Sequence, residues 1–197
     1  MRPSSTRRSR PLTSLRTAVA AAAVAAAALA GPAATADQTA PELDGLFSAL
    51  RTSTDPHEAI KIEFQVWKLW LQHPDSQVRD TMTRGIRSMQ AGDYQRALAT
   101  FDDLVEQNPK FAEAWNKRAT VHYLLGNDEA SVADIVETLE LEPRHFGALS
   151  GLALIYERND QPAAAASALR RALAVHPQMG GGERRLKRLE DEAGHSI

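Results

Sequence analysis

The sequence predicts an all-α fold in which helical hairpins repeat along the chain. The first observation is a spacing of 34 residues between Pro109, Pro143 and Pro177, each in a similar sequence setting. The second is the absence of alternating apolar and polar runs, which are typical of half-buried strands. A chain of 197 residues is long enough for one such domain after N-terminal processing.

Residues of matching size recur at the same interval. Small residues allow two helices to approach closely, large apolar residues fill the space beside them, and proline ends a helix. A single hairpin cannot bury its apolar face, so such units occur in stacks. The recurring sets are small (Gly85, Ala119, Ala153 and Ala97, Ser131, Ala165), large (Phe101, Ile135, Leu169) and turn-forming (Gly92, Gly126, Asp160).

This 34-residue pattern resembles the tetratricopeptide repeat (TPR) family, and the resemblance covers Val78 to Pro177. It implies a right-handed α–α superhelix, the TPR solenoid, in which the first helix of each repeat lines an inner groove. The three repeats are expected at about 78–111, 112–145 and 146–179. The predicted helices are 76–90, 94–107, 111–125, 128–141, 145–158 and 162–175.

Residues 37–77 are predicted to form an N-terminal helical hairpin. Asp55-Pro56 followed by Glu58 is a helix start signal. Shifting the repeat frame by 34 places Trp67 on Phe101, so this hairpin is interpreted as a degenerate repeat that caps the stack. Trp67 and Trp70 are expected to pack in its core, although exposed residues that stack on a ligand are the alternative. At the other end, 180–197 is expected to hold a capping helix.

Residues 1–36 have the features of a signal peptide. An arginine-rich stretch precedes an uncharged run from Thr17 to Ala30, and Ala34-Thr35-Ala36 is a small-x-small cleavage pattern. We therefore expect an exported, periplasmic protein that starts near Asp37 and has no membrane span after processing. An uncleaved anchor and an organelle transit peptide are alternatives that the sequence leaves open.

Charge and cysteine content exclude several classes of function. Residues 1–36 hold five arginines and no acid, so 18 basic and 25 acidic residues follow, a net charge of −7. An acidic protein repels phosphate backbones, and nucleic acid is not expected as a partner. The chain has no cysteine, which excludes disulfides, thiolate metal sites and a cysteine nucleophile.

The sequence gives little support for an enzyme. It holds no phosphate-binding glycine loop, no paired metal-ligand motif and no serine elbow, so no catalytic residue, metal or cofactor is predicted. His122 and His145 lie in neighbouring repeats, but two imidazoles without a carboxylate make a poor metal site.

The TPR resemblance implies a partner-binding groove, and the repeat frame assigns its residues. A subclass that clamps a peptide's terminal carboxylate needs lysine and asparagine where this chain has Met82 and Ile86, so that activity is not expected. Whether the N-terminal hairpin covers the methionines is left open. The expected groove residues are Met82, Ile86, Met89, Asn116, Thr120, Tyr123, Ser150 and Leu154.

Two arginines depart from the family pattern. Arg84 and Arg118 stand where the repeat usually has leucine. Since a buried arginine needs a partner, we expect each head group to reach a carboxylate, with Asp102, Asp103 and Asp134 as candidates. The alternative is an arginine offered to an anionic partner.

The predicted function is that of an exported scaffold that binds another protein or peptide through its groove. Asn116, Thr120 and Tyr123 are expected to form its centre and to be dispensable for helix stacking. The alternative is an accessory or assembly subunit of an envelope complex, which binds through its convex face or helix ends. Trp115–Thr120 and Glu142–Leu152 also resemble small exported bacterial TPR proteins without an assigned activity, which adds no mechanism.

Overall fold

A computed structural model describes residues 40–195 of the chain. Within this range the backbone forms nine helices and no strand, which confirms the predicted all-α fold. The predictions for the leader, residues 1–36, lie outside the described residues. The helices are α1 (Glu42–Thr52), α2 (Pro56–Trp70), α3 (Ser76–Gln90), α4 (Tyr94–Gln107), α5 (Ala112–Leu124), α6 (Asp128–Leu141), α7 (Phe146–Arg158), α8 (Pro162–Val175) and α9 (Gly182–Gly194).

The helices α3 to α8 form three consecutive hairpins and agree with the predicted bounds to within one residue. Capping explains part of this agreement. The carboxylate of Asp75 accepts a hydrogen bond from the backbone N–H of Gln77 at 2.7 Å, and Asp93 does the same for Arg96 at 3.2 Å. These bonds satisfy amide groups that have no partner inside the helix.

The turn inside each hairpin depends on one residue with a positive φ angle. Gly92 and Gly126 have φ of 78° and 80°, and Asp160, at the same place in the third hairpin, has φ of 57°. Glycine adopts this conformation without steric cost, and aspartate is among the few other residues that tolerate it. The 34-residue period of the sequence therefore corresponds to a repeated backbone geometry.

The small residues of the repeat lie where two helices touch. A Cβ atom added to Gly85 would lie 2.6 Å from the ring of Phe101, so no side chain fits there. In the second repeat, Ala119 is buried and its carbonyl accepts a hydrogen bond of 2.7 Å from the hydroxyl of Ser131. Both contacts join the two helices of one hairpin.

The N-terminal hairpin, α1 and α2, is present as the sequence predicted, and it packs against the third repeat. Its core, formed by α1 and α2, includes Phe146 from the start of α7, and Val175 packs against that cluster. Whereas Phe101 packs against Gly85 of its own hairpin, Trp67 packs against Gly147 of the third repeat. The hairpin therefore packs against the start of α7 and the end of α8, where each of these helices meets its connecting loop.

The last helix, α9, closes the other end of the stack. Its Leu189 is fully buried, and Leu186 packs against the same core cluster. Gly182 opens the helix close to α8, because a Cβ atom there would lie 2.5 Å from a methyl group of Leu173. The remaining face is dominated by charged residues, as the sequence predicted for a capping helix.

None of the helices within residues 40–195 combines the length and the apolar character needed to cross a membrane.

Candidate functional site

The helices α5 and α7, which are the first helices of the second and third repeats, surround a cavity of about 280 Å³, and α2 closes one side of it. We call this space the α5–α7 cavity. Five residues assigned to the groove from the sequence line it, namely Asn116, Thr120, Tyr123, Ser150 and Leu154. The other lining residues are Glu63, Trp67, Ala119, Ser131, Ile135, Phe146, Gly147, Ala148, Gly151 and Met179.

The three groove residues assigned to the first repeat lie elsewhere. Met82 is 2% exposed and belongs to a buried cluster with Val78 and Phe101, so its expected role as a contact for a partner was wrong. Ile86 and Met89 are partly buried and pack against the same cluster, as does Leu71 from the N-terminal hairpin. These methionines fill the core instead of presenting an open apolar strip.

A buried polar network lies behind the cavity. Oε2 of Glu113 accepts hydrogen bonds from Asn116 Nδ2 at 3.1 Å and from His145 Nε2 at 2.9 Å. The other oxygen, Oε1, forms an ion pair with Lys117 Nζ at 2.7 Å. Glu113 and His145 are fully buried, and Asn116 is 6% exposed. Asn116 was expected to be dispensable for stacking, but this network makes it part of the interior.

Hydrogen bonds in this network assign the tautomer of His145, and the partners of Glu113 keep it ionised. Nδ1 of His145 accepts a hydrogen bond from the backbone N–H of Ala148, so the proton of the neutral ring sits on Nε2 and points at Glu113. Burial raises the pKa of Glu113, but the charge of Lys117 and the hydrogen bond from His145 lower it by a larger amount, so that the pKa is about 2. Glu113 is therefore a carboxylate at neutral pH.

Trp67 forms the wall that the N-terminal hairpin contributes. Its ring makes edge contacts with His145 and Phe146 at centroid distances of 5.5 and 5.4 Å, and its indole N–H donates to Glu63 at 3.1 Å. Lys117 Nζ lies 5.0 Å from the ring centroid, within the range of a cation–π contact. Trp67 is thus fixed from several sides, as expected for a core residue, yet it also faces the cavity.

Two glycines in α7 have different relationships to the cavity. A Cβ atom on Gly147 would lie 2.6 Å from the ring of Trp67, so this glycine permits the close approach of α2. A Cβ atom on Gly151 would meet only Ile135, at an ordinary distance of 3.8 Å. The packing does not require a glycine at position 151. The missing side chain leaves the floor of the cavity open.

Sequence reasoning did not find Trp67, Phe146 or Met179 as lining residues of this cavity. The signal was present in Gly147, which lies in the first turn of α7 and has no side chain. Such a residue indicates a close neighbour, but the sequence does not say which one. The neighbour is Trp67 of α2, which lies outside the three repeats.

The remaining polar groups around the cavity are held by partners. The guanidinium of Arg158 lies 3.9 Å from the ring centroid of Tyr123, and the Thr120 hydroxyl donates to the carbonyl of Asn116 at 2.9 Å. Arg185 contacts the Ser150 hydroxyl at 3.4 Å and donates to Glu157 at 2.8 Å.

The two histidines considered as metal ligands have separate partners. His145 bonds to Glu113, whereas His122 Nε2 lies 3.9 Å from Asp134. No group of three or more metal-binding side chains occurs among residues 40–195.

Comparison with known families identifies the repeats. A family model described as tetratricopeptide repeat matches residues 82–137 and 129–180, which together cover half of the chain. The chain belongs to the tetratricopeptide repeat family. A TPR repeat-containing protein of Rhizobium etli is 33% identical over 135 residues, covering 68% of this chain and 66% of that protein. The chain therefore spans slightly less than two thirds of this curated relative.

Solved structures of TPR domains share the fold at low sequence identity. The first TPR domain of Spaghetti (RPAP3), solved with the HSP90 peptide SRMEEVD, gives a TM-score of 0.57 at 17% identity, covering 62% of this chain and 98% of that one. The TPR2B domain of yeast Sti1, solved as a complex with pHsp70, gives 0.55 at 18% identity, covering 62% and 100%. These likenesses support the TPR fold assigned to the chain.

Proposed function

We propose that this TPR protein is a scaffold that binds a segment of another protein in the α5–α7 cavity. The observation that carries the proposal is the convergence of Asn116, Thr120, Tyr123, Ser150 and Leu154 on one concave space. Concave, mostly apolar sites with a few placed polar groups are the usual sites of recognition. Because the residues lie on two helices of the folded repeats, the site is formed before a partner arrives.

The structural relatives support a peptide or protein as the partner. The RPAP3 domain is described as bound to an HSP90 peptide, and the Sti1 domain as a complex with pHsp70. Those partners belong to those proteins, and only the class of ligand, a polypeptide segment, is proposed for this chain. No nucleic acid partner is proposed, since the sequence after residue 36 carries a net charge of −7.

We also propose that the protein acts after export, in the periplasm, with an organelle as the alternative compartment. The support is the leader pattern of residues 1–36 in the sequence. N-terminal sequencing of the exported protein should give a start near Asp37. An intact Met1 in the soluble envelope fraction would contradict this proposal.

A matched pair of variants tests the binding site. Leu154 lines the cavity and is 39% exposed, whereas Val136 on α6 is 37% exposed and does not line the cavity. Leu154→Glu should remove partners captured from an envelope extract, because it places a charge in an apolar site. Val136→Glu should retain them. If both variants capture the same partners as the unaltered chain, the cavity is not the binding site.

One observation favours the alternative, an accessory or assembly subunit that binds through another surface. Ile60 and Phe64 lie one turn apart on α2 and are 58% and 70% exposed. An exposed apolar pair of this kind suits a protein interface. The double variant Ile60→Ser with Phe64→Ser separates the two proposals, because it should remove the captured partners only if this surface binds them.

A further inference from the structure

This inference rests on the proposed function and names the feature that the cavity recognises. We infer that the α5–α7 cavity is a pocket for one large uncharged apolar side chain, carried by an internal segment of the partner. A terminal carboxylate or an acidic side chain does not suit it. The partner is therefore a polypeptide read by a single apolar anchor residue.

The walls of the pocket determine the chemistry of its occupant. Trp67, Phe146, Ile135 and Leu154 supply apolar surface, and the volume of about 280 Å³ lies just below the range of small-molecule sites. Such a space accepts one side chain of the size of leucine or phenylalanine. An apolar occupant replaces water without losing hydrogen bonds, whereas a charged occupant loses its hydration.

Gly151 keeps the floor of the pocket open but lowers the stability of helix α7. Gly151 lies inside α7, where alanine would be the more favourable residue. Only Ile135 lies near its missing Cβ atom, at 3.8 Å, so a methyl group fits without strain. Packing does not explain this glycine, but access to the pocket does, since any side chain there would reduce the space.

Asn116 brings one amide to the wall of the pocket. Nδ2 of Asn116 donates to the buried Glu113, which orients the amide and turns Oδ1 away from that carboxylate. Within the described residues no hydrogen bond reaches Oδ1 of this side chain, although the residue is only 6% exposed and lines the cavity. An amide oxygen is an acceptor, so any group that bonds to it must be a donor, such as the backbone N–H beside an anchor residue. A carboxylate has only acceptors to offer.

The cations next to the pocket are already engaged. Lys117 pairs with Glu113 at 2.7 Å, and Arg185 pairs with Glu157 at 2.8 Å. Arg158 forms an ion pair with Asp128. The buried charge of Glu113 would repel a carboxylate entering the pocket. Nη2 of Arg185 is a buried donor without a hydrogen bond among the described residues, but it belongs to a guanidinium that is already paired with Glu157. The charge distribution therefore complements an uncharged anchor.

Defined peptides test the inference on the full chain. The probes are nine-residue Gly-Ser peptides, acetylated and amidated, with one central Leu, Phe, Ala or Glu, and a Leu peptide shortened to end at the Leu with a free carboxylate. Binding is followed by NMR shifts of the Gly151 amide and the Trp67 indole N–H. The amidated Leu and Phe peptides should bind about tenfold or more tightly than the Ala peptide, and the Glu and free-carboxylate peptides should not bind.

Two glycine variants provide the matched control. Gly151→Leu fills the floor of the pocket and should weaken binding of the Phe peptide at least tenfold, as measured at the Trp67 indole. Gly45→Leu is the same substitution in α1, at a position with no atom within 4 Å of the added Cβ, and should leave binding unchanged. Equal binding by both variants, or preferred binding of the acidic or free-carboxylate peptides, would overturn the inference.

The failure of this inference is distinguishable from failure of the proposed function. If no peptide shifts Gly151 while Leu154→Glu still removes the captured partner, the cavity binds but has no apolar anchor pocket. If Leu154→Glu also has no effect, both proposals fail. The NMR signal of Gly151 is also followed while the protein concentration alone is raised. If a shift appears and is lost in Phe64→Ser, a second copy of the chain occupies the pocket, and the assignment of a separate partner is overturned.

Discussion

The imidazole of His145 lies flat against the indole of Trp70, with 4.0 Å between the ring centroids and 9° between the planes. The two residues are distant in sequence, one at the end of α2 and one before α7. Because His145 also bonds to Glu113 of α5, this stack connects the N-terminal hairpin to the second and third repeats. Through His145 the hairpin is therefore linked to both of these repeats.

Truncation of Trp70 should release this connection. Trp70 is fully buried, and Trp70→Ala should lower the free energy of unfolding by about 3–5 kcal/mol, because it removes a large side chain and leaves a cavity. Urea denaturation followed by circular dichroism measures the loss. Phe64→Ala, on the same helix but 70% exposed, should change the stability by less than about 0.5 kcal/mol. Similar losses in both variants would contradict the packing described for the hairpin.

Acid should destabilise the protein through Glu113. Its pKa falls from 4.5 in a free side chain to about 2 in the fold, since Lys117 and His145 outweigh the effect of burial. A lowered pKa stabilises the fold above about pH 4.5, and this contribution, roughly 3 kcal/mol, is lost as the pH falls toward 2. The hydrogen bond from His176 lowers the pKa of Glu63 and acts in the same direction.

Urea unfolding at pH 7 and pH 3 checks this pH dependence. Glu113→Gln should be less stable at pH 7 and should lose less on acidification, because the amide does not titrate. Glu106→Gln, an exposed position on α4, should keep the slope of the unaltered chain. A Glu113→Gln variant that loses as much stability between the two pH values would show that another group carries the effect.

The two glycines of α7 should respond oppositely to alanine. Gly147→Ala places a methyl group 2.6 Å from Trp67, whose ring is held by His145 and Phe146, and overpacking of this kind typically costs about 1–3 kcal/mol. Gly151→Ala meets only Ile135 and should gain about 0.5–1 kcal/mol from helix propensity. Thermal melting of the two variants gives the comparison. A stabilised Gly147→Ala would show that α2 does not approach α7 closely.

The repeat period predicted the helices well because each hairpin is specified locally. Proline, the turn residue and the small positions recur within 34 residues, so Gly92 and Asp93 determine a turn and a cap without distant contacts. The same frame predicted that Asn116 and Leu154 share one side of the stack, since a helix face follows from periodicity alone, and both residues line the α5–α7 cavity.

The docking of the N-terminal hairpin could not be predicted in this way. It depends on contacts such as Asp44 with Arg144 at 2.6 Å and Glu63 with His176 at 3.2 Å, which lie 100 and 113 residues apart in sequence. Nothing in the repeat pattern specifies such pairs. The burial of Met82 was missed for a related reason, because the frame gives the face of a side chain and not what packs over it.

Arg84 and Arg118 occupy the same position in successive repeats and should differ in their contributions to stability. Arg118 donates to both oxygens of Asp134, at 2.8 and 2.7 Å, and to Asp102 at 2.9 Å, as the sequence predicted for its head group. The Asp134 side chain is only 4% exposed. Arg84 lies at the outer end of the stack, is exposed, and its guanidinium donates to the Thr81 hydroxyl.

Arg118→Leu should therefore cost about 3–5 kcal/mol, because it leaves the carboxylate of Asp134 buried without its guanidinium. Arg84→Leu should stay within about 0.5 kcal/mol of the unaltered chain, since no buried charge depends on it. The double variant Arg118→Leu with Asp134→Leu should recover most of the loss, because it removes both charges together. Urea denaturation of the four proteins measures these differences. A loss for Arg118→Leu as small as that for Arg84→Leu would mean that the charge of Asp134 is compensated elsewhere. A double variant no more stable than Arg118→Leu would mean that the pair is held by packing instead of charge.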